Sequence, residues 1–172
     1  FRFWPAQFKC VGITNLTNEH LDFHKTMWRY FRAKAWLFKN VSKKSIWIIP
    51  RNFKYHKELK EISQTSEIWE FDRNKKWDLF AKKIRQNPEL DLELSVAWED
   101  IKVKTKMIWD FNVDNVLIAA WIGKFLWLQS NEIKKWIEDF MPIPGRQEIV
   151  KSKKWVDFII DFALTPHSLE CL

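Results

Sequence analysis

Alternation of apolar and polar positions divides the chain into short strand-like and helix-like stretches. Phe8 to Leu16 reads as a strand that runs into a polar loop. From about Thr26 to Lys39, the residues Met27, Tyr30, Phe31, Lys34, Leu37 and Phe38 recur at the spacing of one helical face. A helix is expected there, with Lys34 inside its apolar stripe. An ammonium in such a place is costly unless it is paired, deprotonated or chemically altered, so Lys34 is the first candidate for chemistry. Ser45 to Ile49 is an apolar run of buried-strand type, closed by Pro50. Phe53 to Ile62 has mixed helical character, Ser66 to Phe71 suggests another strand, and Trp77 to Arg85 suggests a helix. Leu90 to Ala97 and Ile101 to Met107 alternate with a period of two and predict an antiparallel hairpin around Glu99-Asp100.

Asn112 to Leu128 turns helical and strongly apolar, and Ser130 to Phe140 predicts a further helix with Ser130 as its N-cap. Met141 to Arg146 (MPIPGR) is a Pro/Gly linker and the expected domain boundary, dividing residues 1–144 from 145–172. Trp155 to Ile160 reads as a buried strand leading to Asp161. Thr165-Pro166 then announces a helix as N-cap and first helical residue. Strands alternating with helices argue for an α/β chain: a mostly parallel sheet flanked by helices, plus a small antiparallel hairpin.

At 172 residues the chain has enough apolar positions for one core. No apolar run is long and charge-free enough to span a bilayer, and no signal-peptide pattern opens it. Cys10 and Cys171 do not suggest a disulfide framework, so a cytoplasmic location is expected. The net charge of +7 suits an anionic partner, nucleotide or nucleic acid, but equally a lysine-rich solvated surface. Phe1 is not an initiator methionine, and the helix opened by Pro166 stops short, so the chain reads as a piece of a longer one.

Several polar residues stand out singly. His20 and His24 are four apart, a spacing two metal ligands can use, although no further Cys or His follows at zinc spacing. Asn112 and Asn115 open the long helix as N-cap and first-turn residues, Arg146 follows Pro144-Gly145, and Asp161 ends a strand, where α/β folds place ligands. Each taken alone has a bland structural explanation.

Four motifs in order change that balance. TNLTNEHLDFHKTMWRYFRAKAWLF (Thr14 to Phe38), FNVDN (Phe111 to Asn115), IPGRQE (Ile143 to Glu148) and IDFALTPHSLE (Ile160 to Glu170) stand in the chain. They resemble the Mur ligase family, in particular its MurE members, whose motifs read TNL and HLDYHGTM, FNVYN, VPGRME and VDYAHTPDSLE. Phe23 stands for Tyr, Lys25 for Gly, Asp114 for Tyr and Gln147 for Met. The resemblance implies the central domain of such a ligase and the start of its Rossmann-like C-terminal domain. It implies ATP-dependent addition of an amino acid to UDP-MurNAc-dipeptide in peptidoglycan synthesis, with ATP and Mg²⁺ as cofactors and a monomeric full-length enzyme. By the same resemblance Lys34 would be carbamylated and, with His20, would organise Mg²⁺. Asn112 and Asn115 would lie beside adenine, Arg146 would reach phosphate, Asp161 would contact ribose, and Arg2 would reach the muramyl-peptide. Departures are also visible. The phosphate loop and the glutamate completing the magnesium site are absent, as is the motif that selects the amino acid. The family's NADD appears here as PRNFK (Pro50 to Lys54), and Leu164 and His167 replace the histidine and aspartate of AHTPD.

The chain holds 12 Trp and 3 Gly, against roughly 12 Gly expected at this length. Trp109, Trp136 and Trp155, with Trp127, fall where the resembling motifs carry glycine. Glycine codons read as tryptophan, as when UGA is assigned differently in source and translation, would produce both the excess and the deficit. A tryptophan-rich core is the simpler alternative. Two other functions remain open from sequence: a basic, aromatic module that stacks and tracks single-stranded nucleic acid, and a non-catalytic Mur homologue.

Overall fold

A computed structural model of the chain describes residues 8–63, 67–87, 89–152, 156–163 and 165–170. Arg2, Trp155 and Leu164 lie outside these residues. The strands are β1 (Cys10–Gly12), β2 (Ile46–Pro50), β3 (Ile68–Asp72), β4 (Leu79–Asn87), β5 (Glu89–Val96) and β6 (Glu99–Ile108). They form one six-stranded sheet in sequential order. Pairing is parallel from β1 to β4 and antiparallel from β4 to β6. The mostly parallel α/β architecture expected from sequence is the one observed.

β2 shows why a continuous apolar run makes a central strand. Its side chains alternate, Ile48 into the core on one face and Trp47 and Ile49 into the core on the other. One face is covered by α4 (Asn112–Phe125) and α5 (Ser130–Asp139), through Val113, Val116, Leu117, Ile133 and Ile137. The other is covered by α2 (Met27–Lys39) and α3 (His56–Glu61), through Phe31, Ala35, Phe38 and Leu59. Gly123 lets α5 approach α4, because a Cβ there would sit 2.8 Å from Ile133 Cγ1.

Four sequence expectations are corrected. Trp77 to Arg85 is not a helix; β4 runs through it, because Leu79 and Ala81 alternate inward and the strand finds a long antiparallel partner in β5. Tertiary pairing overrides local helix propensity there. The β5–β6 turn is Ala97-Trp98 rather than Glu99-Asp100, with φ of 49° and 66°. The N-cap of α5 is Gln129, whose backbone N–H donates to Glu132 Oε2 in a capping box, and Ser130 is already helical. Finally β8 (Asp157–Ile160), which pairs antiparallel with β7 (Glu148–Lys151), is exposed along its length rather than buried.

A buried carboxylate ties the loop after β2 to the sheet. Glu70 accepts from Arg51 (2.9 Å), Lys60 (2.7 Å) and Trp77 Nε1 (3.0 Å) and pairs with His56 Nε2 (2.9 Å). Burial alone pushes its carboxyl up, but Lys60 and Arg51 outweigh that and hold it at about 2. Arg51 of the PRNFK segment is therefore a structural brace.

Among the described residues three tryptophans occupy left-handed backbone. Trp98 (φ 66°) is the second residue of the two-residue hairpin turn, a position that favours glycine. Trp127 (φ 65°) follows the α4 C-cap, and Leu128 N donates to Gly123 O while Trp127 N donates to Lys124 O. Those bonds define a Schellman motif, whose left-handed residue is usually glycine. Trp109 (φ 68°) links β6 to α4, with its buried Nε1 unbonded. Trp98 and Trp127 are 86% and 90% exposed, so neither belongs to a tryptophan-rich core. Trp136 does not share this geometry; it lies within α5, exposed.

Candidate functional site

β1, β2, β3 and β6 end at the same edge of the sheet, where the chain leaving β1 leads through His20 to Lys34 on α2 and the chain leaving β6 leads to Asn112 and Asn115 on α4. Beyond β1 the chain turns at His20 (φ 55°), forms the single turn α1 (Leu21–His24), and turns again at Lys25 (φ 63°). Lys25 stands where the resembling motif has glycine, and its left-handed backbone is the reason glycine suits that place. Thr26 caps α2 by accepting from Arg29 N at 3.2 Å.

This local geometry gathers three polar side chains around one ring. The buried Tyr30 meets His20 edge-on with centroids 5.7 Å apart and stacks on His24 at 4.9 Å, and Lys34 Nζ lies 5.4 Å from its centre. His20 and Lys34 thus approach the same ring from different turns of the chain. The sequence picture of Lys34 is corrected: Lys34 is exposed, while Ala35 and Phe38 carry the buried face of α2. The buried apolar setting expected for this amine is therefore not the one observed. Magnesium prefers a near-octahedral set of oxygens. Among the described residues no group of three His, Cys, Asp or Glu could hold a metal ion, so His20 and Lys34 do not make a magnesium site by themselves.

The second cluster forms where β6, α4 and the Pro/Gly segment meet. A cavity of about 300 Å³ is lined by Ile108, Asn112, Asn115, Phe140, Arg146 and Gln147, among others. Asn112 is buried; its Nδ2 donates to Ile108 O (2.6 Å) and Gln147 Oε1 (3.1 Å), and its Oδ1 accepts from Asn115 Nδ2 (2.9 Å). Its carboxamide is engaged inside the protein, whereas Asn115 is exposed on the cavity wall. Phe111, not Asn112, is the α4 N-cap, and it offers no side-chain cap. Arg146 is exposed, its guanidinium carbon 4.7 Å from the centre of the Phe162 ring. Asp161 joins through the backbone: its Oδ1 accepts from Gln147 N at 3.3 Å and from Phe162 N at 2.8 Å.

Asn112, Asn115 and Arg146, separated by up to 34 positions in sequence, therefore line one cavity, with Asp161 bonded to its rim. Sequence reasoning missed Gln147, which bridges Asn112 to the Asp161 segment; its substitution for the motif's methionine was the available signal. A second, apolar cavity of about 280 Å³ shares Met107, Asn115 and Phe140 with the first and lies between α4 and α5.

Residues 2–123 match the Mur ligase middle domain, which is well over half of the chain. The chain belongs to the Mur ligase family. Among its Mur ligase relatives is the UDP-N-acetylmuramoyl-L-alanyl-D-glutamate–2,6-diaminopimelate ligase of Aquifex aeolicus, 34% identical over 99% of this chain and 34% of that protein. The ligase of the same name from a Synechocystis species is 32% identical over 95% of this chain and 33% of its own length. The chain thus spans about a third of the curated relatives it matches. A crystal structure of MurF from Acinetobacter baumannii superposes with a TM-score of 0.85 at 22% identity, over 95% of this chain and 36% of that one. MurF from Thermotoga maritima in complex with ADP gives 0.76 at 16% identity, over 96% and 38%. At such identities the likeness shows the fold alone. The nucleic-acid alternative loses its ground with family membership, which accounts for the motifs without it.

Proposed function

We propose that this Mur ligase segment is the nucleotide-binding part of a MurE-type enzyme, which adds an amino acid to UDP-MurNAc-dipeptide with cleavage of ATP to ADP and phosphate. The observation that carries the reading is the convergence of Asn112, Asn115 and Arg146 on one cavity, with Asp161 bonded to its rim. The names of the sequence relatives support the MurE type, and the ADP bound to Thermotoga maritima MurF supports a nucleotide on this fold. Residues 1–144 would belong to the central domain and 145–172 to the start of the C-terminal domain. The full-length enzyme would act as a cytoplasmic monomer.

In this reading the exposed Asn115 carboxamide meets the edge of adenine, and Asn112 fixes its orientation from behind. Asp161 meets the ribose hydroxyls, and Arg146 neutralises phosphate charge. Arg2 contacts the muramyl-peptide. Lys34, once carbamylated, and His20 are this chain's share of a magnesium site completed elsewhere in the full-length protein; bound magnesium would offset phosphate charge. The substrate carboxylate oxygen bonds to the γ-phosphorus as the bond to ADP breaks, giving an acyl phosphate. The amino acid's nitrogen then bonds to the acyl carbon, loses a proton, and inorganic phosphate leaves.

The test uses the full-length protein with UDP-MurNAc-dipeptide, ATP, Mg²⁺ and candidate amino acids, 2,6-diaminopimelate first. Amide product matched by ADP and phosphate supports the proposal. No ligation with any amino acid, from a protein that binds ATP, would instead favour a non-catalytic Mur homologue.

A further inference from the structure

Arg73 makes an ion pair with Asp110 and with Asp114, the residue of FNVDN that departs from the family's motif. It follows β3 in a turn fixed by Asp72 Oδ1, which accepts from Asn74 N (3.0 Å) and Lys75 N (3.1 Å). From there its guanidinium reaches across the carboxyl edge of the sheet to the start of α4. Nε and Nη2 donate to the two oxygens of Asp114 at 3.1 and 2.8 Å, and Nη1 donates to Asp110 at 2.9 Å. Arg73 and Asp114 are only 24% and 22% exposed, which sets this bidentate pair apart from a solvated surface bridge. Asp114 holds the Arg73 guanidinium above its ordinary range, so the clamp stays charged.

We propose that Arg73 is a positioning residue for the nucleotide, clamping the first turn of α4 so that Asn115 is held at the cavity wall. Asp110 and Asp114 bracket Asn112 in sequence, and Asp114 immediately precedes Asn115. The N-cap Phe111 has no side-chain acceptor, so on the helix itself this end is held through Asn112, which bonds Ile108 O and accepts from Asn115, without a side-chain cap. Arg73 adds a second hold from the turn after β3, and an acidic first turn also suits the helix dipole. The resembling motif carries tyrosine where Asp114 stands, so the clamp is particular to this chain rather than part of that motif.

The inference rests on the nucleotide reading of the cavity, and one experiment separates the two. The full-length protein and its R73Q, R73K and D114N variants are compared by ATP binding, by KM for ATP, by kcat at saturating ATP, and by thermal midpoint. The expected result is that R73Q and D114N each raise Kd and KM for ATP about tenfold, with kcat within about twofold, and that R73K recovers part of the loss. The double variant R73Q/D114N should be no worse than either single one. Wild-type protein that binds no ATP overturns the nucleotide reading together with the clamp. Wild-type protein that binds ATP, with variants of unchanged Kd and only a lower thermal midpoint, overturns the clamp alone. Should R73Q fail to fold, D110N keeps the Asp114 pair and must still raise Kd for ATP, or the proposal fails.

Discussion

Lys34 Nζ lies 5.4 Å from the centre of the Tyr30 ring, and His20 meets the same ring edge-on. The two candidate metal-site residues are therefore positioned by one buried aromatic side chain, although Lys34 itself stays exposed. Lys34→Ala in the full-length enzyme should lower ligase turnover by about a hundredfold or more, as for loss of a group facing developing charge. Short-chain carboxylates should restore part of it by standing in for the proposed carbamate. Wild-type turnover in Lys34→Ala would remove this residue from the mechanism.

The paired asparagines are expected to behave differently. Asn115→Ala should raise KM for ATP about tenfold with little change in thermal midpoint, since Asn115 is an exposed group on the cavity wall. Asn112→Ala should also lower the thermal midpoint, because it leaves Ile108 O and Gln147 Oε1 without their donor. Equal effects of the two substitutions on folding would contradict the division of roles. Steady-state kinetics and calorimetric melting read both quantities.

Glu70 gives the fold a defined acid sensitivity. Its carboxyl is held at about 2 against an ordinary value of 4.5, so the folded state favours the ionised form. The stabilisation is fully present above about 4.5 and is lost as the pH falls from there towards about 2. Glu70→Gln should cost about 2 kcal/mol at neutral pH, discounted because Arg51 and Lys60 are partly solvated, and should flatten the stability profile across that window. Denaturant melts at several pH values would show it, and an unchanged profile would refute the assignment.

Much of the fold was legible because short apolar runs between turn residues can only be central strands when both faces are covered, as for Ile46 to Ile49. β4 was not legible: Leu79, Phe80 and Ala81 fit either period, and only the β5 partner decides. Of the candidate site, the residues on one cavity were found through their motifs and Gln147 was marked only by standing where the motif has methionine, whereas Arg73 acts through contacts that no local pattern announces. Lys34 was placed on the wrong side of α2, because Met27, Tyr30 and Leu37 share its helical spacing while the buried stripe is centred on Phe31, Ala35 and Phe38.

Left-handed backbone at Trp98, Trp109 and Trp127 turns the odd composition into a prediction about the gene. The codons there should be UGA, the codon whose reading divides tryptophan from glycine in the expectation above; UGG would contradict it. Independently of the codon, Trp98→Gly and Trp127→Gly should each stabilise the protein by about 1 kcal/mol, because an L side chain is strained at these φ values and both indoles lie in solvent. Melting curves of the single variants decide this.

The central claim is amide formation through an acyl phosphate on a chain of which this segment holds the nucleotide. It is tested most directly by labelling the carboxylate of the dipeptide substrate with ¹⁸O and analysing the phosphate released by the full-length enzyme. Transfer of one labelled oxygen to phosphate for each amide formed is the predicted result. Unlabelled phosphate alongside the amide product would contradict the account.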